Sequence, residues 1–121
     1  YSGCDVLSIH VDGRPENFHL VNADALGRMR PTAAVINTSR GEVLDAFALA
    51  DALRNKRLTA AAIDVYDPEP PPADFPLLGL PNVLLTPHLA ARTNSGLENM
   101  SWVVRDVVAV LNGQEPKWAA P

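Results

Sequence analysis

Four short apolar runs, at residues 4–10, 33–37, 60–65 and 83–86, constrain the fold of this chain more than any other feature. They are near-continuous rather than alternating, being made of Val, Ile, Leu and Ala with few interruptions. A strand solvated on one face alternates apolar and polar residues. A strand covered on both faces does not, and parallel sheets flanked by helices are where such strands occur. Each run also ends in a polar residue at the start of a loop: His10, Asn37, Asp64 (one residue short of the run's end) and Thr86.

Helical patterns fill most of the gaps. Asn22 is placed to cap a short helix ending by Met29, with Pro31 closing it off. Asp45 is placed to cap a helix reaching about Asn55. In that second helix Ala48, Leu49, Ala52 and Leu53 share a face, with Asp51 and Arg54 pointing away. A last helix is expected over residues 94–111, with Leu97, Met100, Val104, Val107, Val108 and Leu111 at helical spacing. Trp102, Val103 and Val110 widen that stripe and predict burial on more than one side. Gly113 is its natural stop. Strand–helix–strand order with short links predicts right-handed crossovers and a parallel sheet. Residues 66–82 break the pattern: six prolines and no helical period predict an ordered, rigid loop rather than a crossover helix.

With 121 residues, 47% of them hydrophobic, the chain is sized for one domain. A net charge of −4 without any basic block disfavours nucleic acid and anionic membranes as partners. The apolar runs are too short to span a bilayer, and no signal peptide is visible. The single cysteine, Cys4, forbids an intrachain disulfide and fits a cytoplasmic setting; at the start of a strand it reads as a small core residue. Three scattered histidines and one cysteine lack the paired spacing of a metal site. His19 belongs to no motif and reads as surface. Strand-like sequence beginning by residue 5 without an initial Met reads as a piece of a longer chain. Residues 113–121 read as a tail or truncated linker after a domain portion at 1–112.

Ligands of open parallel sheets bind outside the carboxyl ends of the strands. The polar segments following these strands deliver Arg40, Glu69 and His88. Arginine presents a planar fork suited to a carboxylate, and histidine exchanges protons near neutral pH. A carboxylate beside the histidine orients it and favours its charged form. Gly41 reads as a backbone device allowing a turn after Arg40.

The run Asn37-Thr38-Ser39-Arg40-Gly41, then residues 64–70 (Asp-Val-Tyr-Asp-Pro-Glu-Pro), then Thr86-Pro87-His88-Leu89-Ala90 resembles the D-isomer-specific 2-hydroxyacid dehydrogenases. Residues 4–10, Met29-Arg30-Pro31, Pro81-Asn82-Val83 and Thr93 extend the likeness over nearly the whole chain. The resemblance implies the second half of a Rossmann-like doubly wound parallel sheet, about four parallel strands with helices. It further implies an oxidoreductase moving a hydride between NAD(H), with NADP left open, and a small 2-keto or 2-hydroxy acid. By the same likeness Arg40 binds the substrate carboxylate, His88 carries the proton and Glu69 pairs with it. Asp64 meets the nicotinamide carboxamide, while His10, Thr38, Ser39, Arg40, His88 and Ala90 line the cofactor. A homodimer is implied for the full-length protein.

Two positions depart from the family pattern. Asp12-Gly13 follows His10-Val11 where the family has Pro, and Ala90 stands where glycine is common. The glycine-rich turn that holds the cofactor's pyrophosphate, Gly-x-Gly-x-x-Gly, does not occur in these residues. The chain alone is therefore expected to be inactive. Rival readings are an NAD-sensing binding protein without turnover and a phosphonate dehydrogenase-like enzyme on the same fold.

Overall fold

The computed structural model describes residues 1–118, and the end of the expected tail, residues 119–121, lies outside them. The chain divides into two compact units, Tyr1–His88 and Leu89–Pro121.

The first unit is a four-stranded, all-parallel sheet in the order β1 (Val6–Ile9), β2 (Ala34–Asn37), β3 (Ala60–Ile63), β4 (Val83–Leu85). The register sets the site. Ile9 pairs with Asn37, Asn37 with Ile63, and Ile63 with Leu85, so the strands end in line. The residues that follow, Thr38, Asp64 and Thr86, therefore leave the sheet along one edge. Helix α1 (Ala23–Gly27) is capped by the Asn22 side chain and is shorter than the sequence pattern allowed. Helix α2 (Ala46–Arg54) is capped by Asp45, whose carboxylate accepts from the Ala48 amide at 2.9 Å. A cap of this kind is worth about 1 kcal/mol.

Helices α1 and α2 pack together. The buried face of α2, Leu49, Ala50, Ala52 and Leu53, joins Val35, Ile63, Leu58 and Leu77 in one core. Each fully buried aliphatic side chain there contributes roughly 1.5–3 kcal/mol. Cys4 is only half-buried: it packs against the core's margin and its thiol donates to the Tyr1 carbonyl. His19 is also half-buried rather than fully at the surface, stacked on Phe18 with ring centroids 4.0 Å apart.

Between β3 and β4 the chain is irregular, as the prolines predict, yet it is anchored. Phe75 and Leu77 insert into the core, and Arg54 of α2 donates to the Pro76 carbonyl at 2.7 Å.

The second unit corrects the expected single helix. It holds α3 (Asn94–Ser101) and α4 (Val103–Leu111), separated at Trp102. There the Trp102 amide donates to Asn99 and the Arg105 amide to Trp102, three-residue steps that tighten the spiral and interrupt the four-residue ladder. Thr93 caps α3 through the Gly96 amide, and Gly113, at φ +72°, ends α4. The broad apolar stripe is not buried within the described residues. Val103, Val104, Val107, Val110 and Leu111 are all exposed, because this unit has only two short helices to pack together. Beyond α4 the amides of Lys117 and Trp118 both donate to the Asp106 carboxylate, folding that stretch back on the helix.

Candidate active site

Three strand ends build the site, each through local backbone bonding. After β2, the fully buried Asn37 folds the turn. Its amide nitrogen donates to the Arg40 carbonyl at 2.9 Å, and its oxygen accepts from the Ser39 amide and hydroxyl at 3.1 and 3.0 Å. This bonding satisfies the buried amide on both sides and fixes where Arg40 emerges. The Arg40 guanidinium is exposed and donates to the Ser39 carbonyl at 2.7 Å. No carboxylate pairs with it among the described residues, so its charge is available to an anion. Thr38 and Ser39 are half-buried beside it.

The next residue, Gly41, opens the expected turn, a 3-10 turn over Gly41–Val43, and has a second role besides. Its φ is not in the left-handed region; the constraint is space. A Cβ at Gly41 would lie 2.0 Å from both the carbonyl carbon and oxygen of Tyr66, and 2.6 Å from the Asp67 nitrogen. Only glycine permits this approach of the Arg40 segment to the loop after β3.

That loop starts with Asp64, buried at 4% exposure, whose carboxylate accepts from the Thr86 hydroxyl at 2.5 Å. Tyr66 follows, its ring edge-on to Phe75 and its hydroxyl donating to the Thr86 carbonyl at 2.8 Å. Burial, with the carboxylates of Asp64 and Glu69 nearby, raises the Tyr66 phenol above its ordinary value, so it remains a donor. The peptide bonds Asp67–Pro68 and Glu69–Pro70 are cis.

Glu69 meets His88 directly. Its two oxygens lie 2.9 and 3.2 Å from His88 Nδ1. A carboxylate only accepts, so Nδ1 carries the proton and Nε2 is left for a reacting group. His88 also holds φ +54°, the left-handed region, a conformation that costs a side-chain-bearing residue roughly 1–3 kcal/mol and persists where surroundings fix it. A cleft of about 280 Å³ adjoins Glu69, lined also by Tyr66, Pro70, Pro71, Thr86 and Pro87.

The remaining expected residues scatter. His10, past the end of β1, is exposed and shares a 2.7 Å hydrogen bond with the Ser8 hydroxyl. Ala90 belongs to the second unit. The unusual Asp12-Gly13 is held by its own loop: Arg14 and Asn17 donate to the Asp12 carboxylate, and Arg14 keeps that carboxyl below the usual range. Gly13 sits against the Arg40 stem, where an added Cβ would be 3.1 Å from Cγ. The sequence marks Asn37 and Thr86 only as polar residues closing apolar runs and within motifs, and gives Tyr66 no role of its own. A polar side chain inside or just beyond an apolar run was the only signal available.

A carboxylate-gripped histidine after β4 and an arginine without a carboxylate partner after β2 thus leave one edge of the sheet, with the Glu69 loop after β3 between them. Residues 1–90 match the model of the D-isomer specific 2-hydroxyacid dehydrogenase NAD binding domain. The chain belongs to that family. It is 42% identical over 113 residues to a glyoxylate reductase of Thermofilum pendens, covering 93% of this chain and 33% of that one. Among solved structures, D-lactate dehydrogenase with NAD+ from Lactobacillus jensenii superposes at a TM-score of 0.89, with 28% identity, over 99% of this chain and 40% of the other. The NADPH-dependent glyoxylate/hydroxypyruvate reductase of Sinorhizobium meliloti, in complex with NADP and malonate, gives 0.86 and 33% over 96% and 36%. The chain spans about a third of the length of the curated relatives it matches. Its sheet is the parallel α/β architecture of that Rossmann-like domain.

Proposed function

We propose that this chain supplies the proton-transfer and carboxylate-binding half of a D-2-hydroxyacid dehydrogenase, reducing a small 2-keto acid with a nicotinamide cofactor. The observation that carries the reading is the 2.9 Å contact between Glu69 and His88 Nδ1, at the strand edge that also presents Arg40.

The residues fit the nicotinamide end of such a cofactor. A buried carboxylate, Asp64, and a hydroxyl, Thr86, sit at adjacent strand tips and match the donor and acceptor atoms of a carboxamide. Thr38 and Ser39, half-buried beside Arg40, and His10 past the end of β1 complete the proposed lining within the first unit. The pyrophosphate end finds no glycine-rich turn in these residues. When bound, the dihydronicotinamide supplies the hydride for the carbonyl carbon. Either NADH or NADPH fits this end of the site.

The chain's own groups do the rest. Arg40 takes the substrate carboxylate in two parallel charge-assisted bonds, which orients the neighbouring carbonyl. His88, protonated on both nitrogens, gives the Nε2 proton to the carbonyl oxygen as charge develops there. Glu69 accepts from Nδ1 and keeps the imidazole in orientation. In the reverse direction His88 takes the hydroxyl proton. General acid–base assistance of this type is worth roughly 10²–10⁴ in rate.

The test is a panel of 2-keto acids assayed with NADH and NADPH on the full-length protein and its His88→Asn variant. Turnover of at least one keto acid, lost in the variant, supports the reading. Equal turnover by both proteins would rule out the assigned site.

A further inference from the structure

Tyr66, on the segment that carries Glu69, meets both of the segments that carry Arg40 and His88, yet hydrogen-bonds to none of these three side chains. Its backbone lies against Gly41, the residue after Arg40, with no room for a Cβ between them. Its hydroxyl donates to the carbonyl of Thr86, two residues before His88, at 2.8 Å. Its own chain reaches Glu69 three residues later.

Thr86 is held by β3 and its loop through three of its groups. Its amide donates to Ile63 at 3.0 Å, its hydroxyl to Asp64, and its carbonyl accepts from Tyr66. The same carbonyl accepts from the His88 amide at 3.0 Å. The Tyr66 hydroxyl and the His88 backbone thus share one acceptor, and His88 leaves that point in the left-handed conformation. Tyr66 is itself buried, at 8% exposure, with its ring edge-on to Phe75 at 5.6 Å.

Resting on the proposed dehydrogenase chemistry, we infer that Tyr66 is a positioning residue, whose hydroxyl sets the placement of His88 relative to Glu69 and Arg40. It does not touch substrate. It fixes the loop after β3 to the end of β4, and so fixes the Glu69–His88 contact. The raised phenol supports this, since the bond needs a protonated hydroxyl. Misplacing a proton donor by an ångström costs up to about a hundredfold in rate.

The experiment compares full-length wild type, Tyr66→Phe and His88→Asn with a keto acid that the wild type reduces. Tyr66→Phe keeps the ring and its contact with Phe75, and rates are normalised to folded, cofactor-binding protein. The expected result is a fall in kcat of about tenfold, within the range of a misplaced catalytic group. KM is expected to change less than about twofold, because Arg40 binding is untouched. The solvent deuterium isotope effect on kcat should rise as proton transfer becomes more limiting. A structural role alone lowers the melting temperature without moving the isotope effect. Unchanged kcat, or an unchanged isotope effect, with His88→Asn inactive overturns the role of Tyr66 and leaves the site standing. An active His88→Asn overturns the site itself.

Discussion

Gly41 and Tyr66 meet backbone to backbone, and a single methyl group at Gly41 would collide with the Tyr66 carbonyl at 2.0 Å. Because the obstacle is main chain rather than the end of a flexible side chain, the collision is relieved only by moving β2's exit away from β3's. Gly41→Ala is expected to destabilise the chain by about 3 kcal/mol, the upper range for overpacking. Urea unfolding followed by circular dichroism checks this. A midpoint equal to wild type would show that the two segments separate at little cost.

Replacing Glu69 by Gln keeps the shape and one acceptor oxygen but removes the charge facing His88 Nδ1. In the full-length protein, kcat is expected to fall roughly ten- to a hundredfold, with the keto-acid KM little changed, since the lost interaction belongs to proton transfer. Steady-state kinetics decide it. A rise in KM alone would place Glu69 in substrate binding instead.

Arg40→Lys retains positive charge without the planar fork. The expected outcome is a KM for the keto acid raised on the order of tenfold or more, because two parallel bonds become one. Competitive inhibition by a non-reactive dicarboxylate should weaken in parallel. Unaltered KM and inhibition would mean that the carboxylate binds elsewhere.

The raised Tyr66 phenol links stability to alkaline pH. The folded-state value lies above the ordinary 10.0, so in the window above about 10 the unfolded chain loses this proton first. Stability is therefore fully present below that pH and falls as pH rises through the window. Thermal melts of wild type and Tyr66→Phe between pH 8 and about 11 should diverge in slope, the variant lacking this contribution. Parallel slopes would show that Tyr66 titrates normally.

On the proposed reading, the 121-residue chain by itself offers only the nicotinamide end of a cofactor site, and its sequence holds no glycine-rich turn. NADH binding is expected to be weaker than about 1 mM, because the pyrophosphate contacts are not made. Fluorescence titration tests this, and tight stoichiometric binding would contradict the division of the site.

The strands and their order of appearance were legible because both faces are covered and the apolar runs are unbroken. The placement of Arg40, Glu69 and His88 in loops at strand ends was legible because proline, glycine and their neighbours mark those loops. Tyr66 was not, since a tyrosine beside an apolar run reads as core until its hydroxyl is seen to reach the Thr86 carbonyl, twenty residues away. At Gly41 the turn was legible but its close approach to Tyr66 was not, since glycine answers both to a turn and to a lack of space, and sequence does not distinguish them. At Trp102 the apolar period continues across the break, so periodicity alone joined α3 to α4. The width of that stripe foretold burial, which two short helices cannot supply to each other.

The left-handed backbone at His88 makes this position answer to two independent filters. The proposed chemistry asks for an imidazole, and geometry admits few side chains at φ +54°, with Asn, Asp and His tolerated far better than β-branched residues. Drift at this site is consequently channelled: a lineage that abandons the proton carrier but keeps the loop has asparagine, aspartate or glycine as its easy exits. A valine or isoleucine there would strain the loop by roughly 1–3 kcal/mol as well as remove the proposed proton carrier.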